Sequence, residues 1–289
     1  MYPATFGPEH LSAAIFSARR LPDRVHHRVV SCDGCGLVRS DPVAAGDVLA
    51  GLYRESTFDY AAEVGNLKRT YGRYLARLDR HQGAKGALLE VGCGNGFFLE
   101  RALELGYRSV RGVEPSHAAI AGARHDIRPL IVEDMMREGL FGESAFDVVC
   151  LFQVFDHVPD PRSLLRAVHR SLRPEGLLLV LNHDVGSRSA RLLKDRSPII
   201  DIEHTYLYSR STLRRILELE GFQTLEEGSV RNTYSVRYLA RLLPLPQAAK
   251  SALLGLLERT PIGRLRASVP LGNLYAVGRR REAAPNPVP

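Results

Sequence analysis

The sequence predicts an α/β fold, a mostly parallel sheet with helices packed on its faces. Three observations lead there. Between residues 85 and 182, short apolar runs alternate with stretches whose apolar residues recur at helical spacing, the pattern of successive βαβ units. The first of those runs ends in a glycine-rich turn that opens a helix. The composition, 45% hydrophobic and 25% charged over 289 residues, is that of a chain that buries a sizeable core.

Taken in order, residues 43–80 carry helical patterns with scattered tyrosines (Tyr53, Tyr60, Tyr71, Tyr74) and are expected to cap the mouth of the sheet. Strands are expected at 87–91, 109–113, 129–132, 146–151 and 177–182, each a short apolar run bounded by turn residues. Helices fill the gaps at 97–105, 116–124 and 161–172, the last with Leu164, Leu165, Val168 and Leu172 on one face. Ser116 and Asp160 are good N-caps, and Pro161 suits a first helical position, where its missing N–H costs nothing. A polar stretch to Tyr208 precedes a helix over 209–220, which ends at Gly221 before a strand from Phe222. Residues 236–267, rich in Leu and Arg and broken by Pro244, Pro246 and Pro261, read as a helical insertion. A last strand is expected at 273–279. The domain plan is an N-terminal segment (1–80), a core (81–230), a helical insertion or lid (231–269), the last core strand (270–282) and a flexible Pro-rich tail (283–289).

Bulk properties narrow the function classes only modestly. The formal charge of +7 leaves anionic partners open. The longest uncharged apolar stretch, Ser251 to Leu257, is far below the roughly 20 residues that span a bilayer. The N-terminus lacks a basic region followed by a long apolar segment, so a cytoplasmic location is expected. Of the four cysteines, Cys93 and Cys150 sit in apolar segments that read as buried strand ends, which argues against a disulfide framework.

The central chemical signal is Glu90-Val-Gly92-Cys93-Gly94-Asn-Gly96 after the apolar run that starts at Ala87. Glycines let the backbone turn tightly and approach a ligand with no Cβ in the way. Their alternate spacing, with Phe97 following Gly96, differs from the G-x-G-x-x-G of dinucleotide sites, and Glu90 would repel a pyrophosphate. An acid there suits the amino group of an amino-acid moiety.

This series resembles the first motif of the class I S-adenosylmethionine-dependent methyltransferases, closely over 85–182 and more loosely elsewhere. The resemblance implies a Rossmann-like, seven-stranded, mostly parallel sheet, S-adenosyl-L-methionine as cofactor, and methyl transfer as activity. It implies that Glu90, Gly92, Cys93, Gly94 and Gly96 bind the cofactor, that Glu114 with Pro115 takes the ribose hydroxyls, and that Asp134 with Met135 meets the adenine. Glu133 is a rival to Asp134. Phe152, Gln153 and Val154 would line the methionine side, and Leu172-Arg-Pro-Glu175-Gly resembles the turn into the fifth strand, with Glu175 where glycine is frequent.

Methyl transfer from a sulfonium is an in-line displacement, so alignment dominates and a base helps when the acceptor is a hydroxyl. His157, just past the fourth strand, is the first catalytic candidate, against a plain loop-fixing role. His204 in Asp201-Ile-Glu-His-Thr-Tyr206 is the second, and His183, Asp184 and Glu203 can also face an acceptor. Cys32-Asp-Gly-Cys35 looks like a zinc knuckle that supplies half of a tetrahedral site; His26 and His27 offer the only nearby complement, and a degenerate knuckle without metal is the favoured reading. The Leu- and Arg-rich insertion offers a basic amphipathic surface for peripheral membrane contact, against a lid packed on its own domain. Asn182-His-Asp-Val185 differs from the N-P-P-Y motif of base-modifying amino methyltransferases, and no Pro-Cys nucleophile is present, which disfavours nucleic acid. A small-molecule, sugar or lipid-linked acceptor is the preferred reading; the alternatives are a cofactor-binding protein without transfer activity and a nucleic acid methyltransferase. The acceptor's identity and the oligomeric state stay open at this stage.

Overall fold

The computed structural model describes residues 1–5, 7, 25–55, 64–242 and 246–281. Tyr60, Pro244 and the 283–289 tail, all named above, lie outside the described residues. The N-terminal part forms a hairpin of β1 (Arg28–Ser31) and β2 (Val38–Asp41), then α1 (Gly46–Glu55) and α2 (Val64–Arg77). The alternating core follows: β3 (Ala87–Val91), α3 (Phe97–Glu104), β4 (Ser109–Glu114), α4 (His117–Ala121), β5 (Ile131–Glu133), β6 (Phe146–Phe152), α5 (Pro161–Ser171) and β7 (Leu172–His183). Beyond it come α6 (Arg188–Leu193), β8 (Tyr206–Leu207), α7 (Arg210–Leu219), β9 (Phe222–Ser235), α8 (Val236–Leu242), α9 (Gln247–Arg259) and β10 (Arg266–Arg280).

Seven strands form one sheet in the order β5-β4-β3-β6-β7-β10-β9. β3 to β7 pair in parallel, and β10 runs antiparallel to both its neighbours, so the expected mostly parallel architecture is what the chain adopts. The strand order reverses beside β3, which puts a crevice outside its carboxyl end. Burial explains the strand chemistry. Along β6, Val148, Cys150 and Phe152 join a core with α2 and α3, while Val149 and Leu151 join a second core with α5 and α7. A strand covered on both faces reads as a continuous apolar run, and β6 does. At the start of α5 the Asp160 carboxylate accepts from the Ser163 N–H at 3.0 Å, and Pro161 occupies the first turn.

Several element boundaries differ from the sequence reading. The third strand begins at Ile131, because Arg128–Leu130 form a 3₁₀ turn in which Pro129 has no N–H to give a ladder. β7 begins five residues early, since Leu172 already pairs with Phe146; the chain bends within the strand at Glu175, which takes a left-handed φ of 62°. That conformation explains why a glycine would suit this position. The helical insertion is narrower than expected: residues 231–235 extend β9 and 266–269 open β10, paired Arg266 with Ser235 through Val269 with Asn232. Thr233, Tyr234 and Val269 favour the extended state, and only the Leu- and Arg-rich run between the strands forms helices.

One feature escaped the sequence reading. The polar stretch before Tyr208 ends in β8, which adds to the β1–β2 hairpin as a second, three-stranded sheet. Ser40 holds the loop before β8 from both sides, its N–H donating to the Thr205 carbonyl and its hydroxyl to the His204 carbonyl, each at 2.9 Å. Among the described residues, no helix is long and apolar enough to cross a membrane.

Candidate active site

The glycine turn forms as its spacing requires. Gly92, Gly94 and Gly96 all take left-handed φ values, of 70°, 54° and 72°. The Gly92 N–H donates to the Val113 carbonyl, tying the turn to β4. A Cβ on Gly92 would press into a methyl of Val154. The Gly92→Ala protein is therefore expected to lose about 2–5 kcal/mol of stability, the sum of a left-handed alanine and an overpacked contact, read as a lower urea midpoint at unchanged slope. A midpoint within error of the parent would contradict the close packing described.

Two buried carboxylates flank that turn. Glu114 accepts from the Gly94 N–H at 2.8 Å and the Ser116 N–H at 2.9 Å. Glu90 is 3% exposed, and its Oε2 has no hydrogen-bond partner. Burial, and then the charge on Glu114, push the Glu90 carboxyl well above its ordinary range; burial raises Glu114 too, with the two backbone N–H groups opposing it. The sign of the pH effect follows. An acid whose folded pKa is raised contributes stability that is full below the ordinary carboxylate range and is lost as pH rises through the raised value. The difference in melting temperature between Glu90→Gln and the parent, without cofactor, is expected to grow in favour of the variant from about pH 5 to about pH 8. A flat difference would remove the strain assigned to Glu90.

The other residues expected at the cofactor are placed unevenly. Gln153 follows β6 with a φ of 57° and a buried, unpartnered Oε1, while half-buried Val154 packs on Gly92. Pro115 lies half-buried between Glu114 and Ser116. Asp134 and Met135 lie half-buried after β5, where Asp134 accepts from the Met135 N–H at 2.7 Å and pairs with Arg137 at 3.1 Å. Its rival Glu133 is exposed and paired with His117 at 3.0 Å. Cys93 turns its sulfur inward against Gly112, so its side chain serves the core. Phe152 stacks on Tyr71 of α2 at 4.3 Å and meets Phe98 edge-on at 4.5 Å.

At the carboxyl ends of β6 and β7 the structure assembles a cluster of imidazoles around one acid. Asp156, fully buried, accepts from His183 Nδ1 at 2.6 Å, and its other oxygen lies 3.6 Å from His157 Nε2. The Tyr53 hydroxyl meets His157 Nδ1 at 2.9 Å. The His204 ring lies 4.8 Å from that of His157 and 4.4 Å from that of His183. Burial works to raise the Asp156 carboxyl, but the His157 and His183 imidazoles and the His183 hydrogen bond outweigh it and hold it below the usual range. Burial pushes His157, and more strongly His204, below the ordinary imidazole value.

His157 and His204 thus come together, and His183 joins them. Asp156 was missed by the sequence reading; its signal was an acid directly before a candidate histidine, at the end of an apolar strand. Asp184 instead caps its own turn, accepting from the Gly186 N–H at 2.9 Å. Cys32 and Cys35 sit on the β1–β2 turn as free thiols, and among the described residues no third metal-ligating side chain converges on them.

The residues present fit the expected cofactor. An orphaned buried carboxylate suits a cationic α-amino group, Glu114 retains lone pairs for a vicinal diol, and the glycine turn leaves backbone where side chains would intrude. Comparison with known proteins gives the same reading. In sequence, 133 residues are 35% identical to a ubiquinone biosynthesis O-methyltransferase of Pseudomonas paraeruginosa, covering 43% of this chain and 53% of that one. A protein of the same name from Caulobacter vibrioides is 34% identical over 120 residues, 37% of this chain and 46% of that one. The chain therefore spans about half the length of the curated relatives it matches. In structure, a SAM-dependent methyltransferase from Archaeoglobus fulgidus aligns with a TM-score of 0.52 at 18% identity, over 77% of this chain and all of that one (100%). The YcgJ protein of Bacillus subtilis aligns at 0.50 and 15% identity, over 74% and 100%. Both likenesses speak for the fold. A family model described as a methyltransferase domain matches residues 64–227, more than half of the chain. The chain belongs to that methyltransferase domain family, within the class I S-adenosylmethionine-dependent methyltransferases, and its cofactor is S-adenosylmethionine.

Proposed function

We propose that this chain transfers a methyl group to a hydroxyl of a small-molecule, sugar or lipid-linked acceptor, with His183 as the base. The observation that carries the proposal is the Asp156–His183 pair at 2.6 Å, one strand end beyond β6 and two beyond the glycine turn. Two strand spacings are roughly 10 Å, room for a sulfonium side chain and an acceptor between them. The relatives' name, ubiquinone biosynthesis O-methyltransferase, supports oxygen as the accepting atom.

The bound cofactor supplies an electrophilic methyl on a positively charged sulfur. Glu90 and Glu114 hold and orient that molecule from opposite ends. His183 has Nδ1 engaged by Asp156, which leaves Nε2 to take the acceptor's proton as the acceptor oxygen bonds to carbon and the C–S pair stays on sulfur. Asp156 fixes the tautomer and stabilises the imidazolium that results. Tyr71, stacked on Phe152, closes the α2 side against water.

Methyl-labelled cofactor incubated with phenols, sugars and lipid-linked alcohols tests the reading. Label is expected in an O-methyl ether, identified by NMR. Label on nitrogen, on carbon or in nucleic acid, or none with any acceptor, would overturn it.

A further inference from the structure

Away from the glycine turn, the described residues contain one group of three metal-ligating side chains whose donor atoms converge: Asp156, His157 and His204, all within 4.8 Å of one another. We propose that these three bind a divalent transition metal of the zinc type, leaving a position for the acceptor's oxygen.

Asp156 is the first ligand. Its side chain is 0% exposed, Oδ2 is taken by His183, and Oδ1 has no hydrogen-bond partner, only His157 Nε2 at 3.6 Å. A buried carboxylate with one oxygen unsatisfied is costly unless a cation completes it. His204 comes next. Its Nδ1 lies 2.9 Å from the Ile199 carbonyl, which only accepts, so Nδ1 carries the proton and Nε2 the lone pair. Anchoring one ring nitrogen on a carbonyl is how ligating histidines are commonly oriented. His157 is compatible too, because the Tyr53 hydroxyl can donate to or accept from Nδ1 and so permits the tautomer with Nε2 free to ligate.

The scaffold holds these groups from both sheets. The Thr205 and Tyr206 N–H groups donate to the Asp156 carbonyl at 2.8 and 3.0 Å, and Ser40 fastens the His204 carbonyl. Two imidazoles and one carboxylate form the donor set of zinc and its neighbours, whereas magnesium and calcium prefer oxygen throughout. Tetrahedral ligands about 2.1 Å from an ion lie about 3.4 Å apart, so movements of about 1 Å close the present spread.

What the metal does rests on the proposed function. An acceptor hydroxyl bound at the open position becomes more acidic; its O–H bond breaks, the proton passes to His183, and the electron pair remains on the oxygen that attacks. Asp156 then touches both partners, the metal through Oδ1 and the base through Oδ2.

The test uses the full chain carrying Cys32→Ser and Cys35→Ser, so that thiolates contribute nothing, titrated with cobalt(II) as a coloured zinc substitute. About one equivalent is expected to bind with tetrahedral visible bands, and His204→Ala to weaken binding by about 100-fold or more. Calorimetry with S-adenosylhomocysteine on the same variant checks that fold and cradle survive. No cobalt uptake, or uptake undiminished in His204→Ala, would overturn the site. Cobalt binding alongside methyl transfer that a chelator leaves untouched would overturn its role at the acceptor. Cobalt binding with no transfer to any hydroxyl would instead sink the hydroxyl-acceptor reading and leave the metal site standing.

Discussion

His183→Ala is expected to lower kcat by about 10²–10⁴-fold while leaving the affinity for S-adenosylhomocysteine within about twofold. The split follows from the geometry. His183 closes β7 two strands from the glycine turn, and its hydrogen bond goes to Asp156, not to Glu90 or Glu114. Its loss should therefore remove the proposed proton acceptor without touching the proposed cofactor cradle. The size of the loss should depend on the acceptor. A phenol gives up its proton readily and needs the base less; an aliphatic alcohol holds it tightly, and the variant should approach the upper end of the range. Asp156→Asn should lower kcat as well, because an amide neither enforces the tautomer nor stabilises a charged ring. If His183→Ala keeps kcat within about threefold on an alcohol acceptor, the base lies elsewhere and His157 becomes the next residue to replace.

How the two halves of the site were read from sequence differs for a physical reason. The half proposed to hold the cofactor is written in short local patterns: Glu90, three alternating glycines, and Glu114 at the end of the next strand. Each follows from a local demand, a tight turn or an acid at a strand end, and local demands leave local patterns. The half proposed to meet the acceptor is assembled from distant segments. Tyr53 comes from α1, Asp156 and His157 from the turn after β6, His183 from the end of β7, and His204 from a loop held by β2 and β8. Nothing in the spacing of these residues announces that they meet. His157 and His204 could be nominated singly, as polar residues past strand ends, but the carboxylate that organises them reads as one acid among many until the fold buries it. The same holds for the long β9–β10 arm. Thr233 and Tyr234 pair with residues more than thirty positions away, so their strand identity depends on a partner that sequence periodicity does not name.

The second large effect is expected at Glu114. Replacement by alanine should raise the dissociation constants of both S-adenosylmethionine and S-adenosylhomocysteine by about 10²–10⁴-fold, since two charge-assisted hydrogen bonds to a diol contribute about 1.5–3 kcal/mol each. An equal loss for the two ligands is part of the expectation, because they differ at the sulfur and share the ribose. Stability should respond far less. Glu114 is 6% exposed and its carboxyl is pushed up by burial, so removing it relieves a desolvation cost while releasing the Gly94 and Ser116 N–H groups. These terms oppose each other, and a melting temperature shift of only a few degrees is expected, corresponding to about 1 kcal/mol or less. Glu114→Gln keeps the side-chain volume while removing the charge and one acceptor. The amide oxygen can still accept from one backbone N–H, but its NH₂ faces the other donor, so the turn loosens although side-chain volume is kept. If the glutamine variant binds cofactor as tightly as the parent, neither the negative charge nor the second backbone hydrogen bond of Glu114 is needed, and its assignment to the ribose falls.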